Sequence, residues 1–137
     1  MNSTVKLVVI TPKGIYLEND ITELYLETSL GFTGFLPNHY PLISEVKVTP
    51  LMIQVGPLKE YYAAFGGVIK VEKERIILLL NDIEKDTDID VERAERARKR
   101  AEDRLAVKSE EIDYNRAKLS LLRALTRINT SNHKVGE

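Results

Sequence analysis

The distribution of glycine and proline divides this chain into two parts. All five prolines and six of the seven glycines lie between Pro12 and Gly67, and neither residue type occurs from Val68 to Val135. Glycine and proline mark turns and strand ends, but they disrupt the interior of helices. The first part of the chain is therefore predicted to be rich in strands and turns, whereas the second part is free to form long helices.

The composition limits the classes of function. Hydrophobic residues make up 43% of the 137 residues and the formal net charge is −1, which indicates a globular protein with no general attraction to nucleic acid or an anionic membrane. There is no cysteine, and the two histidines, His39 and His133, are far apart in the sequence, so we expect no disulfide and no metal site. The longest apolar run, residues 76–80, is far below the roughly 20 residues that span a bilayer, so no direct membrane insertion is expected.

Alternating apolar and polar residues predict short strands in the first part. In residues 21–27, Leu24 and Leu26 fall on one face and Tyr25 falls on the other, which is the period of two that is typical of a half-buried strand. The other predicted strands are residues 5–9, 42–48, 52–55, 60–65, 67–72 and 75–80. The last two are predicted to form a hairpin across Lys73-Glu74. Such a series predicts an N-terminal antiparallel β-sandwich, or a flattened barrel, over residues 1–84.

After an acid-rich connection at residues 81–90, the sequence becomes helical. Asp88 is predicted to cap the first helix and Ser109 the second. The apolar stripe of the first helix is Val91, Ala94, Ala97, Ala101 and Leu105. The stripe of the second is Ala117, Leu121, Ala124, Leu125 and Ile128. Two helices with a short connection predict a C-terminal antiparallel hairpin over residues 85–137, with residues 129–137 frayed.

Arginines border both apolar stripes at the same helical spacing. They are Arg93, Arg96, Arg100 and Arg104 on the first helix and Arg116, Arg123 and Arg127 on the second. Any one of them can be a solvated residue paired with Glu95, Glu102 or Asp103. As a set, however, they exceed the acids available on the second helix, which predicts an anionic ligand or an acidic partner surface.

The alanines of the first stripe have a second consequence. Each alanine removes little apolar surface from water, so a seam built from alanines holds two helices together only weakly. The hairpin is therefore predicted to be marginally stable, and a modest ligand is sufficient to decide whether it stays closed.

Two motifs lie on either side of this division. Residues 31–43 read Gly-Phe-Thr-Gly-Phe-Leu-Pro-Asn-His-Tyr-Pro-Leu-Ile, and residues 88–94 read Asp-Ile-Asp-Val-Glu-Arg-Ala. Together with the turns Pro12-Lys13-Gly14 and Phe65-Gly66-Gly67-Val68, they resemble the epsilon-subunit family of the bacterial rotary (F-type) ATP synthase along nearly the whole chain.

The resemblance implies a non-catalytic regulatory subunit on the rotating central stalk of a proton-translocating ATP synthase. In that family the sandwich contacts the gamma subunit and the membrane rotor c-ring. The residues implied in this interface are Gly31, Phe32, Thr33, Gly34 and His39. The helices either fold against the sandwich or extend toward the catalytic beta and alpha subunits, where they oppose ATP hydrolysis. The implied location is peripheral, on the cytoplasmic face of the bacterial cell membrane.

The resemblance also implies ATP as a regulatory ligand. The segment Ile89-Asp90-x-x-Arg93-Ala94 is similar to an ATP-binding signature of some family members. The implied ATP-binding residues are Glu84, Ile89, Asp90, Arg93, Ala94, Arg100, Arg123 and Arg127. The last three rest on the stripe geometry together with the resemblance. Bound ATP is expected to stabilise the folded, non-inhibitory form, with no cofactor and no requirement for Mg²⁺.

Three other interpretations stay open at this stage. One is a purely structural coupling and brake subunit that binds no nucleotide. Another is a nucleic-acid binder, although Asp103, Glu110 and Asp113 interrupt the positive charge of the helices. The third and least favoured is an enzyme, because His39 is not accompanied by a nucleophile in any recognisable pattern.

Overall fold

The computed structural model describes residues 3–107 and 110–136 of the chain. Its strands are β1 (Val5–Thr11), β2 (Gly14–Ile21), β3 (Glu23–Thr28), β4 (Gly31–Phe35), β5 (Leu42–Val55), β6 (Leu58–Val71), β7 (Arg75–Leu80) and β8 (Ile83–Lys85). A 3₁₀ turn (Asp86–Asp88) then leads to α1 (Val91–Ala106) and α2 (Glu111–Ser131). The predicted order, a β-sandwich followed by two helices that pack on each other, is confirmed.

The strands form one hydrogen-bonded sheet that folds over a main core as a sandwich. Its order is β2-β1-β7-β6-β5-β3-β4, and β8 pairs with β6. The 14-residue strands β5 and β6 extend past their neighbours, so that β6 pairs with β7 through residues 67–71 and with β8 through residues 62–64. The prediction of antiparallel pairing is correct except between β1 and β7, which are parallel.

Alternate residues of the strands fill the core between the layers. Leu24 and Leu26 of β3 are fully buried while Tyr25 is half-buried, as the alternation predicts. The largest fully buried side chains elsewhere include Leu7, Ile21, Phe35, Leu51, Ile53, Ile69, Ile76 and Leu78. Because each side chain of this size contributes about 1.5–3 kcal/mol when buried, the sandwich provides a firm base for the helices.

Two pairs of predicted strands are in fact single long strands. Residues 42–48 and 52–55 join as β5 through Pro50, because the ladder to β3 is irregular there and the Glu27 N–H is bonded to Thr49 Oγ1 (3.3 Å) instead. Residues 60–65 and 67–72 join in β6 through Gly66, which has a φ of 83°. The registers Val46–Gly67 and Val48–Phe65 are the same on either side of it, so the strand continues through Gly66 without a break.

Three strands are absent from the sequence prediction. β2 is a largely exposed edge strand, β4 lies in the glycine-containing segment assigned to a loop, and β8 has only three residues in the acid-rich connection. Each therefore lacks a clear apolar alternation. The predicted hairpin at Lys73-Glu74 is confirmed, since Glu72 N–H donates to Arg75 O at 2.8 Å.

Both helices begin later than predicted. Asp90, not Asp88, caps α1, and its Oδ1 accepts from Arg93 N–H at 3.1 Å. The reason is Ile89, whose extended backbone and buried side chain delay the first helical turn, so Asp88 belongs to the 3₁₀ turn. The N-cap position of α2 is Glu110, one residue after the predicted Ser109, which lies outside the described residues.

The helices form two successive layers on the sandwich: α2 lies against β5 and β6, and α1 lies against α2. The predicted seams meet: Ala94 and Ala101 of α1 and Ala117, Ala124 and Ile128 of α2 are buried. α2 also buries Thr126 and Thr130, and Thr130 Oγ1 donates to Tyr62 O of the sandwich. A polar face of this kind gives the periodicity analysis no signal, which explains why it is absent from the prediction.

The prediction that residues 129–137 are frayed is wrong for residues 129–136. α2 continues to Ser131, and the chain then turns through His133, whose N–H donates to Thr130 O at 3.0 Å. Gly136 lies against the ring of Tyr25, where an added Cβ would meet the hydroxyl at 2.7 Å. These contacts hold a polar segment whose composition alone predicts fraying; Glu137 is outside the described residues.

Candidate functional site

The chain passes from the sandwich to the hairpin through residues 83–90, and this connection is ordered by local bonds. Pairing of Ile83–Lys85 with β6 places Glu84 opposite Ala63. Asp86 Oδ1 then accepts from Thr87 N–H at 2.8 Å, and Ile89 N–H closes the turn onto Asp86 O at 3.3 Å. The start of α1 is thereby fixed relative to the sheet.

A cleft of about 350 Å³ opens between this connection and the two helices. Its lining residues are Glu84, Asp88, Asp90, Arg93, Ala94, Ala97, Arg100 and Arg127. They come from β8, the 3₁₀ turn, α1 and α2, so the cleft exists only when the hairpin is folded against the sandwich. Its volume falls at the lower end of the roughly 300–1,000 Å³ of small-molecule sites.

Six of the eight residues predicted to bind ATP line this cleft together. They are Glu84, Asp90, Arg93, Ala94, Arg100 and Arg127. Asp88 and Ala97 also line it, although the prediction named Asp88 only as a cap and Ala97 only as a stripe residue. The prediction that arginines of both helices flank one groove is confirmed for Arg93 and Arg100 of α1 and Arg127 of α2.

The other two predicted residues lie elsewhere. Ile89 is buried beside Ala63 and Phe65 in a small apolar cluster, where it anchors the connection to the sheet. Arg123 lines a separate groove of about 720 Å³ between α2 and strands β5 and β6, together with Leu119 and Leu122.

Positive and negative side chains face each other across the cleft. Arg127 Nε donates to Glu84 Oε1 at 2.6 Å, and the Arg127 guanidinium lies over the Phe65 ring at 4.6 Å from its centroid. Arg93 and Arg100 are exposed and have no ion pair with any described residue. The cleft therefore offers two uncommitted guanidinium groups beside a third that is already engaged.

Small side chains and a cap give the cleft its space. Ala94 is buried and Ala97 is half-buried, so the wall formed by α1 has no bulky side chain at these positions. The Asp90 carboxylate is used in part by the helix cap, because its Oδ1 accepts from Arg93 N–H. This bond holds the backbone of Arg93 at the helix start, beside the cleft.

The residues predicted to contact the rotor lie at another part of the sandwich. Gly31, Phe32, Thr33 and Gly34 form most of β4, which is a correction of their assignment to a loop. The Phe32 ring stacks on Tyr25 with centroids 5.7 Å apart. His39 follows in the connection to β5, with Nδ1 2.8 Å from Tyr40 O.

Exposed apolar side chains flank these residues in the sequence, and they were not predicted as a set. Leu30 is 82% exposed, Tyr40 is 86% exposed and Ile43 is 70% exposed. Large apolar side chains that are exposed together are candidates for a contact surface in a soluble protein. The signal in the sequence was the high apolar content of a turn-rich segment, where polar residues are the usual choice.

Two family models match the chain. Residues 4–86 match the beta-sandwich domain of the ATP synthase delta/epsilon chain, and residues 87–132 match its long alpha-helix domain. The chain belongs to the ATP synthase delta/epsilon chain family. The resemblance inferred from the sequence motifs is thereby confirmed.

Relatives of this chain that are named ATP synthase epsilon chain support the same assignment. The epsilon chain of Desulforamulus reducens is 38% identical over 128 residues, which cover 93% of this chain and 97% of the relative. The epsilon chain of Bacillus cytotoxicus is 33% identical over 126 residues, covering 92% and 95%. Similarity of this extent includes both the sandwich and the helices.

Solved structures of ATP synthases contain chains with the same fold. One in the mitochondrial ATP synthase of Euglena gracilis (OSCP/F1/c-ring) aligns with a TM-score of 0.85 at 16% identity, covering 92% of this chain and 80% of that one. One in the central stalk/c-ring structure of the Tetrahymena thermophila enzyme aligns with a TM-score of 0.69 at 13% identity, covering 93% and 96%. In the described part of this family member, neither helix is long and apolar enough to cross a membrane, and no cluster of potential ligands is arranged to hold a metal ion.

Proposed function

We propose that this epsilon-family chain is a non-catalytic subunit of the ATP synthase central stalk, and that ATP bound in the cleft holds its helical hairpin in the folded, non-inhibitory form. The observation that carries the proposal is the cleft itself, which gathers Glu84 from β8, Arg93 and Arg100 from α1, and Arg127 from α2. A ligand that contacts all these elements binds only the closed form, and it therefore stabilises that form.

The charges of the cleft favour a phosphorylated ligand. Arg93 and Arg100 have no ion pair with a described residue, and a planar guanidinium matches phosphate oxygens in bidentate fashion. In this proposal Arg127 also faces the phosphates, while the second carboxylate oxygen of Glu84 accepts from the adenine amino group. Arg123, which lines the neighbouring groove, reaches the nucleotide only if its side chain turns toward the cleft.

Binding is expected to proceed without hydrolysis. No glycine lies between Val68 and Val135, so the helical part has no glycine-rich loop to surround phosphates as in phosphate-transferring enzymes. ATP is thus a regulatory ligand in this proposal and Mg²⁺ is not required.

The free energy that ATP binding supplies is of the size that a conformational switch of the hairpin requires. A ligand at about 100 times its dissociation constant stabilises the bound form by roughly 2.7 kcal/mol. The contact between the helices consists largely of alanines, each of which contributes little apolar burial. A stabilisation of this size decides between the closed and open forms where the open form is otherwise favoured by less than this amount.

The open form is proposed to be the inhibitory one. α1 has 16 residues and is about 24 Å long at roughly 1.5 Å per residue, so release of the hairpin carries its tip a comparable distance from the sandwich. The arginines freed from the cleft then engage acidic surfaces of the catalytic beta and alpha subunits. ATP and the catalytic head compete for the same side chains.

The exposed apolar surface around Leu30, Tyr40 and Ile43 is proposed to contact the c-ring, with the gamma subunit bound to another face of the sandwich. With these contacts, the protein is proposed to lie peripherally on the cytoplasmic face of the bacterial cell membrane. In this division of labour, residues 1–84 attach the subunit to the rotor and residues 85–137 regulate it.

Isothermal titration of the isolated chain with ATP and with ADP tests the proposal. Arg93→Ala is expected to weaken ATP binding about tenfold, since it removes one charged phosphate contact. Arg98→Ala is the matched control, because Arg98 is paired with Glu95 (2.9 Å) and does not line the cleft. Equal effects of the two substitutions would contradict the cleft geometry.

One observation favours a second candidate, a purely structural coupling subunit. Glu84 already neutralises Arg127 within the protein, so the closed form needs no ligand at that position. Absence of any heat with ATP at millimolar concentration would support this candidate and remove nucleotide sensing, while leaving the role in the stalk intact.

A further inference from the structure

The segment that follows α2 makes a polar contact that neither the cleft nor the apolar surface uses. His133 Nε2 lies 2.7 Å from Asp86 Oδ2, and the His133 ring stacks on Tyr61 with centroids 4.1 Å apart and planes inclined by 7°. The Asp86 side chain is only 17% exposed. We call these three residues, His133, Asp86 and Tyr61, the C-terminal clasp. It joins the end of α2 to β6 and to the 3₁₀ turn.

The backbone of His133 is unusual for its residue type. Its φ is 57°, in the left-handed region that favours glycine. His133 N–H donates to Thr130 O (3.0 Å) and Lys134 N–H donates to Asn129 O (2.8 Å), which is the bonding pattern of a Schellman motif. Glycine is the common residue at this position, so a histidine there indicates a contribution from the ring that offsets the backbone strain.

The clasp is the last of three attachments along one side of α2. Arg127 bonds Glu84, Thr130 Oγ1 donates to Tyr62 O at 3.4 Å, and His133 bonds Asp86. Of these three α2 side chains, the histidine belongs to the type that gains or loses charge between about pH 5 and 8. One attachment of the hairpin is therefore made by a side chain of this type.

The charges on the surrounding elements set the sign of that sensitivity. The titratable groups in contact with the ring are Asp86 of the 3₁₀ turn and Tyr61 of β6. Of these, Asp86 is the one bonded to the imidazole. A protonated imidazole gains a charge-assisted bond to this carboxylate, whereas a neutral one keeps an ordinary hydrogen bond.

We propose that the C-terminal clasp is a proton-sensitive lock on the helical hairpin, which is tightened when His133 is protonated and loosened when it is neutral. The proposal rests on the proposed function only in requiring that the hairpin opens. If ATP also binds the closed form, as proposed above, protons and ATP each increase the affinity for the other.

Amide hydrogen exchange of the full chain at pH 6 and pH 8, corrected for the intrinsic effect of pH on exchange, tests the lock. The readout is the protection of α2 residues 117–131, with the amides of β7 as an internal measure of the sandwich. His133→Gly is the key variant, because glycine suits the left-handed backbone while the ring is lost. We expect protection of α2 to fall about tenfold at pH 6 and about threefold at pH 8, with β7 unchanged. Unchanged or increased protection of α2 at pH 6 would overturn the proposal.

The charge itself is tested with Asp86→Asn, which keeps a polar partner but removes the carboxylate. Protection of α2 in the unmodified chain is expected to be about three- to fivefold higher at pH 6 than at pH 8, and this ratio should approach one in the variant. His39→Gln, a change of the other histidine, is the control and should keep the full ratio. A variant ratio equal to that of the unmodified chain would contradict a role for the Asp86 charge.

A further arm with added ATP separates this proposal from nucleotide sensing. If ATP protects α2 but His133→Gly has no effect, the lock is wrong and sensing stands. If His133→Gly and pH act on α2 but ATP does not, sensing is wrong and the lock stands. If neither acts, both proposals are wrong.

Discussion

Arg127 Nε lies 2.6 Å from Glu84 Oε1, and this contact ties the last third of α2 to the strand that leads into α1. The pair is partly shielded, with about a third of each side chain exposed (33% and 32%), and the Phe65 ring covers the guanidinium. It is therefore both a wall of the candidate cleft and a structural attachment of the hairpin.

Arg127→Ala is expected to loosen the hairpin even without nucleotide. The variant removes a partly shielded ion pair and a ring contact, and we expect the closed form to lose about 1 kcal/mol. Hydrogen exchange of α2 measures this loss. Lys118→Ala, an exposed change on the same helix, is the control, and a comparable loss there would argue against a specific attachment.

Arg100→Ala and Arg123→Ala are expected to differ in their effect on ATP affinity. Arg100 lines the cleft, so its loss should weaken binding about tenfold, whereas Arg123 lines the neighbouring groove and its loss should cost about threefold or less. Titration calorimetry of both variants makes the comparison. A larger effect at Arg123 would mean that the helices rearrange when the nucleotide binds.

Ala94→Leu is expected to disrupt the cleft and the contact between the helices. Ala94 is buried where α1 meets the cleft, and additional methylene groups in a packed site typically cost about 1–3 kcal/mol. We expect loss of ATP binding together with reduced protection of α2. Ala106→Leu, at an exposed position on the same helix, should change neither property.

Gly67→Ala is expected to destabilise the sandwich more than any change in the helices does. A Cβ at this position would lie 1.9 Å from Leu79 O, a backbone atom of the adjoining strand that cannot move aside easily. We expect a loss of at least about 3 kcal/mol in urea denaturation. Gly56→Ala, where nothing lies within 4 Å of the added Cβ, meets only backbone strain and should cost about 1 kcal/mol.

Tyr62 is expected to make the stability of the sandwich fall at alkaline pH. Burial, assisted by the nearby negative charge of Glu60, raises the pKa of the Tyr62 hydroxyl well above its usual value near 10. The unfolded chain therefore releases the Tyr62 proton at a lower pH than the folded chain does. The stability that the Tyr62 hydroxyl contributes is complete below about pH 10, and it is lost as the pH rises further.

The measurement is the free energy of unfolding between pH 9 and pH 12. Tyr62→Phe should flatten the decline relative to the unmodified chain, while Tyr40→Phe, a change of an 86% exposed ring, should leave it as it was. Parallel curves for Tyr62→Phe and the unmodified chain would show that the hydroxyl does not titrate with folding.

The helical half shows what sequence periodicity is able to predict. The spacing of Ala94, Ala101, Ala117 and Ala124 identified the faces that meet, because burial of an apolar stripe is a property of each helix separately. The same spacing placed Arg100 and Arg127 beside one groove. Arg123 lies in another groove because α2 also rests on β5 and β6, and no pattern within the helix reports that contact.

Features that depend on partners distant in the sequence were beyond prediction. Continuity of β5 through Pro50 requires an irregular ladder with β3, and β8 exists only because β6 extends far enough to pair with it. The contact of His133 with Asp86 spans 47 residues, and nothing local distinguishes this histidine from a solvated one.

The path of residues 84–90 has a consequence for how this family member can vary. The stretch is the only covalent tether between sandwich and hairpin, and it also receives the side chains of Arg127 and His133 from the far end of α2. Residues 84–90 are thus both the hinge of the hairpin and the surface to which the end of α2 binds. A replacement within them changes the flexibility of the hinge and the strength of this attachment at the same time. The two properties are therefore not free to evolve independently.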